Sequence, residues 1–365
     1  MCIVLLTTAH PSYALVVVDN RDEFILRPTS RAHWWTHPET GTKILSARDL
    51  QRAEKGTWLG ISDHGVFAVL TNYRETDTHD AQHPVHGQRS RGGMVTAWLG
   101  TDADEPVPAS VQQLVKDGGV KGVGGFSMVA GKLKKRKAAE KLTNGHAAHL
   151  PNGTAKGSTS SLEPTAIVSN RCDSAEDAPY IGEKRGEVYG LSNTSYLDPD
   201  VWPKVADGKR LVGQVVEDAL AKGFSDDQLI EALFGVMDRD TLPAPEPGES
   251  FEAFIPKLKE SIFIPPIGDD KHRKAMAEAA SQGKGKWDTD DKKAAEELQR
   301  PDGAGPPILG FDTGMYGTQR QTVILVDWDG NVTFRERALW DSNGNPVERG
   351  HGDVSFNFKV EGWDV

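Results

Sequence analysis

A strand begins at the third residue, and that start limits what the rest of the chain can do. Ile3-Val4-Leu5-Leu6 follows Met1-Cys2 directly, and Tyr13-Ala14-Leu15-Val16-Val17-Val18 follows across the turn formers His10-Pro11-Ser12. An N-terminus built into a strand pair is held in place rather than left to fray. The second run delivers Asp19-Asn20-Arg21-Asp22-Glu23 at its end. Strand-like runs return at the other end of the chain, in Thr322-Val323-Ile324-Leu325-Val326, Val332-Thr333-Phe334-Arg335 after the Asp329-Gly330 turn, and Val354-Ser355-Phe356-Asn357-Phe358.

Between these ends the pattern alternates. Thr57 to Ile61 and Val66 to Asn72 flank the turn formers Ser62-Asp63-His64-Gly65 and predict a hairpin that ends on Asn72. Further strands are expected at 125–130, 166–168 and 188–194. Val205, Leu211, Val215, Val216 and Leu220 recur at helical spacing, as do the apolar residues of 226–238, which predicts two packed helices. Sheets covered by helices, in an α+β class, are the economical solution. With 365 residues, 37% of them hydrophobic, the chain can bury a substantial core. It reads as a single domain over 1–365 with a flexible insertion at 131–164, rich in Lys, Gly, Ser and Thr, and a charged surface insertion at 265–306.

Charge and cysteine usage exclude several classes. A net charge of -11, from 53 carboxylates against 42 Lys and Arg, argues against nucleic acid as the partner. Two cysteines, Cys2 and Cys172, exclude a disulfide framework and a four-cysteine zinc site, and fit a reducing, cytosolic setting. The apolar start lacks the preceding basic residues of a secretion signal, and no run approaches the ~20 apolar residues of a membrane span.

Cys2 fits two readings. Met1 is readily removed when a small residue follows it, which would leave a thiol and a free α-amine on one residue. With unperturbed pKa values of ~8.5 and ~7.7–8.0, the two groups exchange protons near neutrality, and the amine serves as a built-in base. The other reading is a small buried residue in an edge strand. Polar residues at strand ends favour the first. Arg21 would promote the thiolate, Asp22 would hold the amine, and Asn72 would donate to an oxyanion. Asn193 and Arg320 flank other strands in the same manner, although each residue also fits a turn or capping role.

Met1-Cys2-Ile3, Asn20-Arg21-Asp22-Glu23-Phe24, Arg27-Pro28, Gly56-Thr57-Trp58-Leu59-Gly60, Leu70-Thr71-Asn72-Tyr73, Gly190-Leu191-Ser192-Asn193 and Tyr316 to Asp327 together resemble the NRDE family, similar to the transport-and-Golgi-organisation proteins. The resemblance spans nearly the whole chain outside the two insertions. It implies a four-layer αββα sandwich of the N-terminal-nucleophile hydrolase type, whose cysteine members include penicillin acylases and bile-salt hydrolases. It also implies Cys2 as nucleophile, Asp22 and Arg21 as orienting groups, Asn72 as oxyanion contact, and Asn20, Asn193 and Arg320 as substrate-binding residues. The order Asn20-Arg21-Asp22 departs from the Arg-Asn-X-Asp pattern of bile-salt hydrolases.

The animal members imply a different role: Golgi and endoplasmic-reticulum organisation, secretion, and movement of haem or lipid, with peripheral association at Golgi or mitochondrial membranes. The expected partner is then a small-molecule amide, a lipid or haem, with no required cofactor and no resident metal. Three further signals read as ordinary surface or packing features. His79, His83 and His86 fall in a Pro-broken loop, and His33 and His37 beside Trp34 and Trp35 form an aromatic patch. Lys132, Lys134, Lys135, Arg136 and Lys137 form a solvated basic run.

Overall fold

The computed structural model describes residues 1–74, 89–134, 162–246, 248–285 and 314–363. Six strands form one sheet: β1 (Ile3–Thr7), β2 (Tyr13–Phe24), β10 (Val188–Leu191), β11 (Tyr316–Asp327), β12 (Asn331–Ala338) and β13 (Val354–Lys359). Their order is β10-β1-β2-β11-β12-β13, and every pairing is antiparallel. The second sheet runs in sequence order through β3 (His33–Thr36), β4 (Lys43–Ser46), β5 (Leu59–Ser62), β6 (Val66–Asn72), β7 (Phe126–Lys132), β8 (Thr165–Ser169) and β9 (Tyr180–Ile181). The helices are α1 (Arg91–Leu99), α2 (Val107–Val115), α3 (Pro203–Lys222), α4 (Asp226–Met237), α5 (Phe251–Phe254) and α6 (Asp270–Ala280).

Three apolar clusters define four layers. Successive strand residues face opposite sides, so Val4, Leu6, Leu15, Val17, Ile324 and Val326 meet Ile61, Phe67, Val69 and Val129 between the sheets. The alternate residues Ile3, Leu5, Val16, Val18, Val323 and Leu325 pack against Val212, Leu233 and Phe234 of α3 and α4. On the far side, Ala68, Leu70, Met128 and Val168 pack against Val95, Trp98 and Val111 of α1 and α2. This is an αββα sandwich. Each fully buried Val, Leu or Ile contributes about 1.5–3 kcal/mol relative to exposure.

Local signals fix the helix ends. Pro203 opens α3, and Gly223, at φ 66, closes it in the left-handed conformation that a glycine adopts freely. Ser225 caps α4 in a capping box with Gln228, and Asp226 and Asp227 face its positive end.

The structure changes the sequence reading in four places. First, β2 runs to Phe24, so Asn20 to Glu23 lie inside a strand and not beyond its end. The pairing of β2 with β1 on one side and β11 on the other keeps its backbone satisfied through the charged stretch. Second, β11 starts at Tyr316, six positions before the apolar run, for the same reason. Third, α1 and α2 are additions, masked in sequence by Gly92, Gly93, Pro106 and Pro108. Fourth, Lys132 is not solvated: it ends β7 at 2% exposure, with its ammonium donating to the carbonyls of Asp102 and Glu105 and to Ser110.

Lys135, Arg136, Lys137, most of 131–164 and the stretch from 286 to 306 lie outside the described residues, as do His79, His83 and His86. Within 265–285 the expected charged helix is present as α6.

Candidate functional site

The N-terminus is enclosed. β1 pairs with β2 so that Ile3 faces Asn20, which sets the two preceding residues beside Asp22. The Met1 ammonium donates to the Asp22 carboxylate at 2.8 Å and to the Tyr316 hydroxyl at 2.7 Å. Tyr316 donates in turn to the Asp22 backbone carbonyl at 3.2 Å. The other Asp22 oxygen accepts from Thr318 Oγ1 at 2.7 Å, and that hydroxyl accepts from the Ile264 amide at 2.9 Å. Lys204, fully buried at the start of α3, donates through Nζ to the Met1 carbonyl. Ser192 Oγ donates to the Cys2 carbonyl at 2.7 Å, with Asn193 Oδ1 at 3.3 Å from the same hydroxyl.

Cys2 is 2% exposed, and its thiol donates to the Asp22 carbonyl at 3.6 Å. Burial pushes this thiol up to about 12, the Asp22 charge adds to the rise, and the nearby N-terminal ammonium opposes it only in part. The Met1 amine is shifted down because burial, aided by Lys204, outweighs the attraction of Asp22. Burial likewise lowers Lys204 and raises Tyr316. In this form the sulfur is a protonated thiol.

A bulge in β11 sorts the polar residues between two faces. Thr318 pairs with Asp22 and Arg320 with Arg21, so Gln319 is the extra residue. Thr318 therefore faces the ammonium side with Asp22, while Arg320 faces the inter-sheet side with Arg21. Arg21 donates to Gln319 Oε1 at 2.8 Å and to Thr29 Oγ1 at 3.2 Å, and lies 4.5 Å above the Trp58 ring. Arg21 and the Cys2 sulfur attract each other, but the guanidinium is also held by those partners and desolvation dominates at the sulfur.

Beside this core lies a cleft of about 220 Å³, lined by Glu23, Arg27, Arg52, Trp58, Asn72, Arg89, Arg91 and Tyr316 among others. Asn72 closes β6 there, half-buried. Arg27 is engaged by Asp49 at 2.7 Å and Glu23 at 3.6 Å. The wall between Thr57 and α1 is backbone against backbone: a Cβ on Gly56 would lie 2.5 Å from the Gly92 carbonyl carbon, so only glycine fits.

The remaining sequence candidates do not line this cleft. Asn20 donates to the carbonyls of Met237 and Ile262 at 2.9 and 3.1 Å, tying β2 to the helical layer and turning away from the cleft. Arg320 donates to the Trp340 carbonyl at 3.1 Å and, with Asp19, Arg21 and Glu336, lines a narrow space between the sheets of about 10 Å³. Asn193 is buried, with its carbonyl accepting from the Arg74 amide. His33 and His37 hydrogen-bond local backbone, and Cys172 sits in the core under α2. A larger trough of about 900 Å³, lined by His64, Asp102, Lys134 and Glu361 among others, shares no residue with the cleft.

Lys204 was not singled out by sequence, and Ser192, Tyr316 and Thr318 entered only as parts of motifs. Lys204 carries the one available signal, a lysine four residues before Gly208 on the buried face of an amphipathic helix.

The family model described as Transport and Golgi organisation 2 matches residues 1–341. The chain belongs to this family. It is 28% identical over 333 residues to the Transport and Golgi organization protein 2 homolog of Homo sapiens, covering 91% of this chain and 89% of that one. Over 355 residues it is 25% identical to an uncharacterized protein of Saccharomyces cerevisiae, covering 94% and 93% of the two chains. Among solved structures, a mutant of conjugated bile acid hydrolase from Clostridium perfringens aligns at TM-score 0.33 with 10% identity, covering 99% of this chain and 92% of that one. Among the described residues of this family member, no helix is long and apolar enough to cross a membrane.

Proposed function

We propose that this protein acts in membrane traffic and Golgi organisation by holding a small ligand in the arginine-rimmed cleft, with Cys2 chemically silent behind it. The observation that carries this reading is the state of the thiol: buried, neutral to about 12, and flanked by an Asp22 already committed to the Met1 ammonium. The cleft volume of about 220 Å³ suits a head group and not a whole macrocycle, since pockets for drug-sized ligands run to roughly 300–1,000 Å³. A lipid head group or the carboxylate arm of haem is the fitting class, because four arginines outnumber the two carboxylates of the lining. No required cofactor enters this reading. Its test is genetic. Cys2→Ala should restore growth or secretion to a deletion strain as well as the wild-type gene does, and a folded Cys2→Ala protein that fails to restore it would overturn the carrier role.

A second reading is favoured by the hydrogen-bond set around Asp22. With Met1 gone, the α-amine of Cys2 would lie near a carboxylate already oriented by Thr318, on a residue whose backbone carbonyl accepts from Tyr316. The amine would take the thiol proton as sulfur attacks an amide carbonyl, and Asn72 would donate to the oxyanion. Collapse of the adduct breaks the C–N bond and releases the protonated amine, and water then cleaves the thioester to a carboxylic acid. A thiol-directed acyl probe should label the Met1-free protein at Cys2 and leave Cys2→Ala unlabelled.

A further inference from the structure

Residue 1 is held as a ligand would be held. Each polar group of Met1 has a buried partner: the ammonium is bound by Asp22 and Tyr316, and the carbonyl by Lys204. The residue is 7% exposed, with its side chain within the cluster that contains Ile3, Trp202, Val205 and Ile262. The carbonyl that Lys204 grips belongs to the Met1–Cys2 peptide bond. An aminopeptidase needs the free amine, the side chain and that carbonyl presented together in its own active site. In the folded chain all three are sequestered.

We infer that Met1 is a processing plug: the Met1–Cys2 bond is cut readily only before β1 joins the sheet, so folding commits each molecule, for as long as it stays folded, to a Met1-bearing or a Cys2-terminal form. The cut is a hydrolysis by a methionine aminopeptidase. The amide C–N bond breaks, the hydroxyl of water completes the methionine carboxyl group, and the proton goes to the new α-amine of Cys2. Rescue after folding would require β1 to leave both β10 and β2, and Val4, Leu5 and Leu6 to leave the core.

The two forms differ in more than one residue. In the Met1-bearing form Asp22 is occupied and Lys204 has the Met1 carbonyl as its hydrogen-bond acceptor among the described residues. In the trimmed form that acceptor is gone, and the Lys204 ammonium faces the new amine and Asp22. A like charge so close favours the unprotonated amine, the form able to accept a proton. Lys204 is thus a positioning residue in one form and an electrostatic tuner in the other. This holds whether or not the cleft carries a ligand.

The test uses full-length Met1-bearing protein made by cell-free translation without aminopeptidase, then folded and treated with purified methionine aminopeptidase. A synthetic peptide with the sequence of residues 1–8 is the unprotected control. Intact mass should show complete trimming of the peptide and retention of Met1 in the protein, at a rate at least ~100-fold slower, as expected for a site that reacts only through local unfolding. Asp22→Asn and Lys204→Met, if folded by circular dichroism, should lose part of that protection. Trimming of the folded wild-type protein within tenfold of the peptide rate would overturn the inference whatever the variants do.

Discussion

The ladder between β2 and β11 has two halves of opposite character. In one, Leu15, Val17, Ile324 and Val326 fill the space between the sheets with hydrocarbon. In the other, the same inward positions carry Asp19, Arg21, Arg320 and Thr322, with Glu336 alongside on β12. Backbone pairing runs across both apart from the bulge and a second register shift between Val326 and Asp327 at the far end. The difference is therefore one of desolvation. The hydrocarbon half gains from leaving water, whereas in the ionic half the cost of burial outweighs the attraction between opposite charges, and its titrations are shifted accordingly. Burial lowers Arg320 to about 9 and raises Asp19 to about 8.

The largest effect is expected on the opposite face of the same strand, where the Met1–Asp22 ion pair shows what a buried charge costs when its partner is removed. Asp22→Asn should destabilise the Met1-bearing protein by about 3–5 kcal/mol at pH 6, because it strands a buried ammonium, and urea unfolding would read it. A loss below about 1 kcal/mol would mean that the pair is open to water. The matching change in the hydrocarbon half, Ile324→Ala, should lose about 2–5 kcal/mol with no pH dependence.

Asp19 separates the halves by pH. Its folded value of about 8 lies above the ordinary carboxylate value of about 3.9. Between roughly pH 4 and 8 the folded chain keeps a proton that the unfolded chain has released, so stability falls as pH rises through that window and levels off above it. Asp19→Asn should flatten this part of the profile, with a difference from wild type on the order of a few kcal/mol by pH 8. An unchanged profile would assign the charge to water. The smallest effect belongs to the surface: Lys222→Ala removes an exposed pair with Asp218 and should change the unfolding midpoint by no more than about 0.5 kcal/mol equivalent.

Much of the sandwich was legible in the sequence. β1, β5, β6, β8, α3 and α4 follow directly from runs and periodicities, because their apolar residues all serve one buried face. The strands that carry the site were underestimated. β2 and β11 lose their apolar pattern where they enter the ionic half, so a reading based on alternation stops at Val18 and starts at Thr322. Cys2, Asp22 and Asn72 were found through residue chemistry and motif resemblance, and the first two lie together. Asn20 was misdirected by that approach, since a buried amide that ties a strand to a helix looks the same in sequence as one that binds a ligand. Lys204 stayed hidden because a lysine in a helix ordinarily points to solvent.

The single unmatched residue at Gln319 has a consequence for how such a chain can vary. Thr318 and Arg320 stand two apart, yet face opposite sides of one sheet. Deleting Gln319 would restore regular alternation, leaving Thr318 opposite Asp22 and Arg320 opposite Arg21 on their present faces, and would remove only the amide that accepts from Arg21 and donates to the carbonyls of Ile25 and Arg27. The bulge is thus the place inside this strand where one residue can be lost without turning either set of side chains to the wrong face.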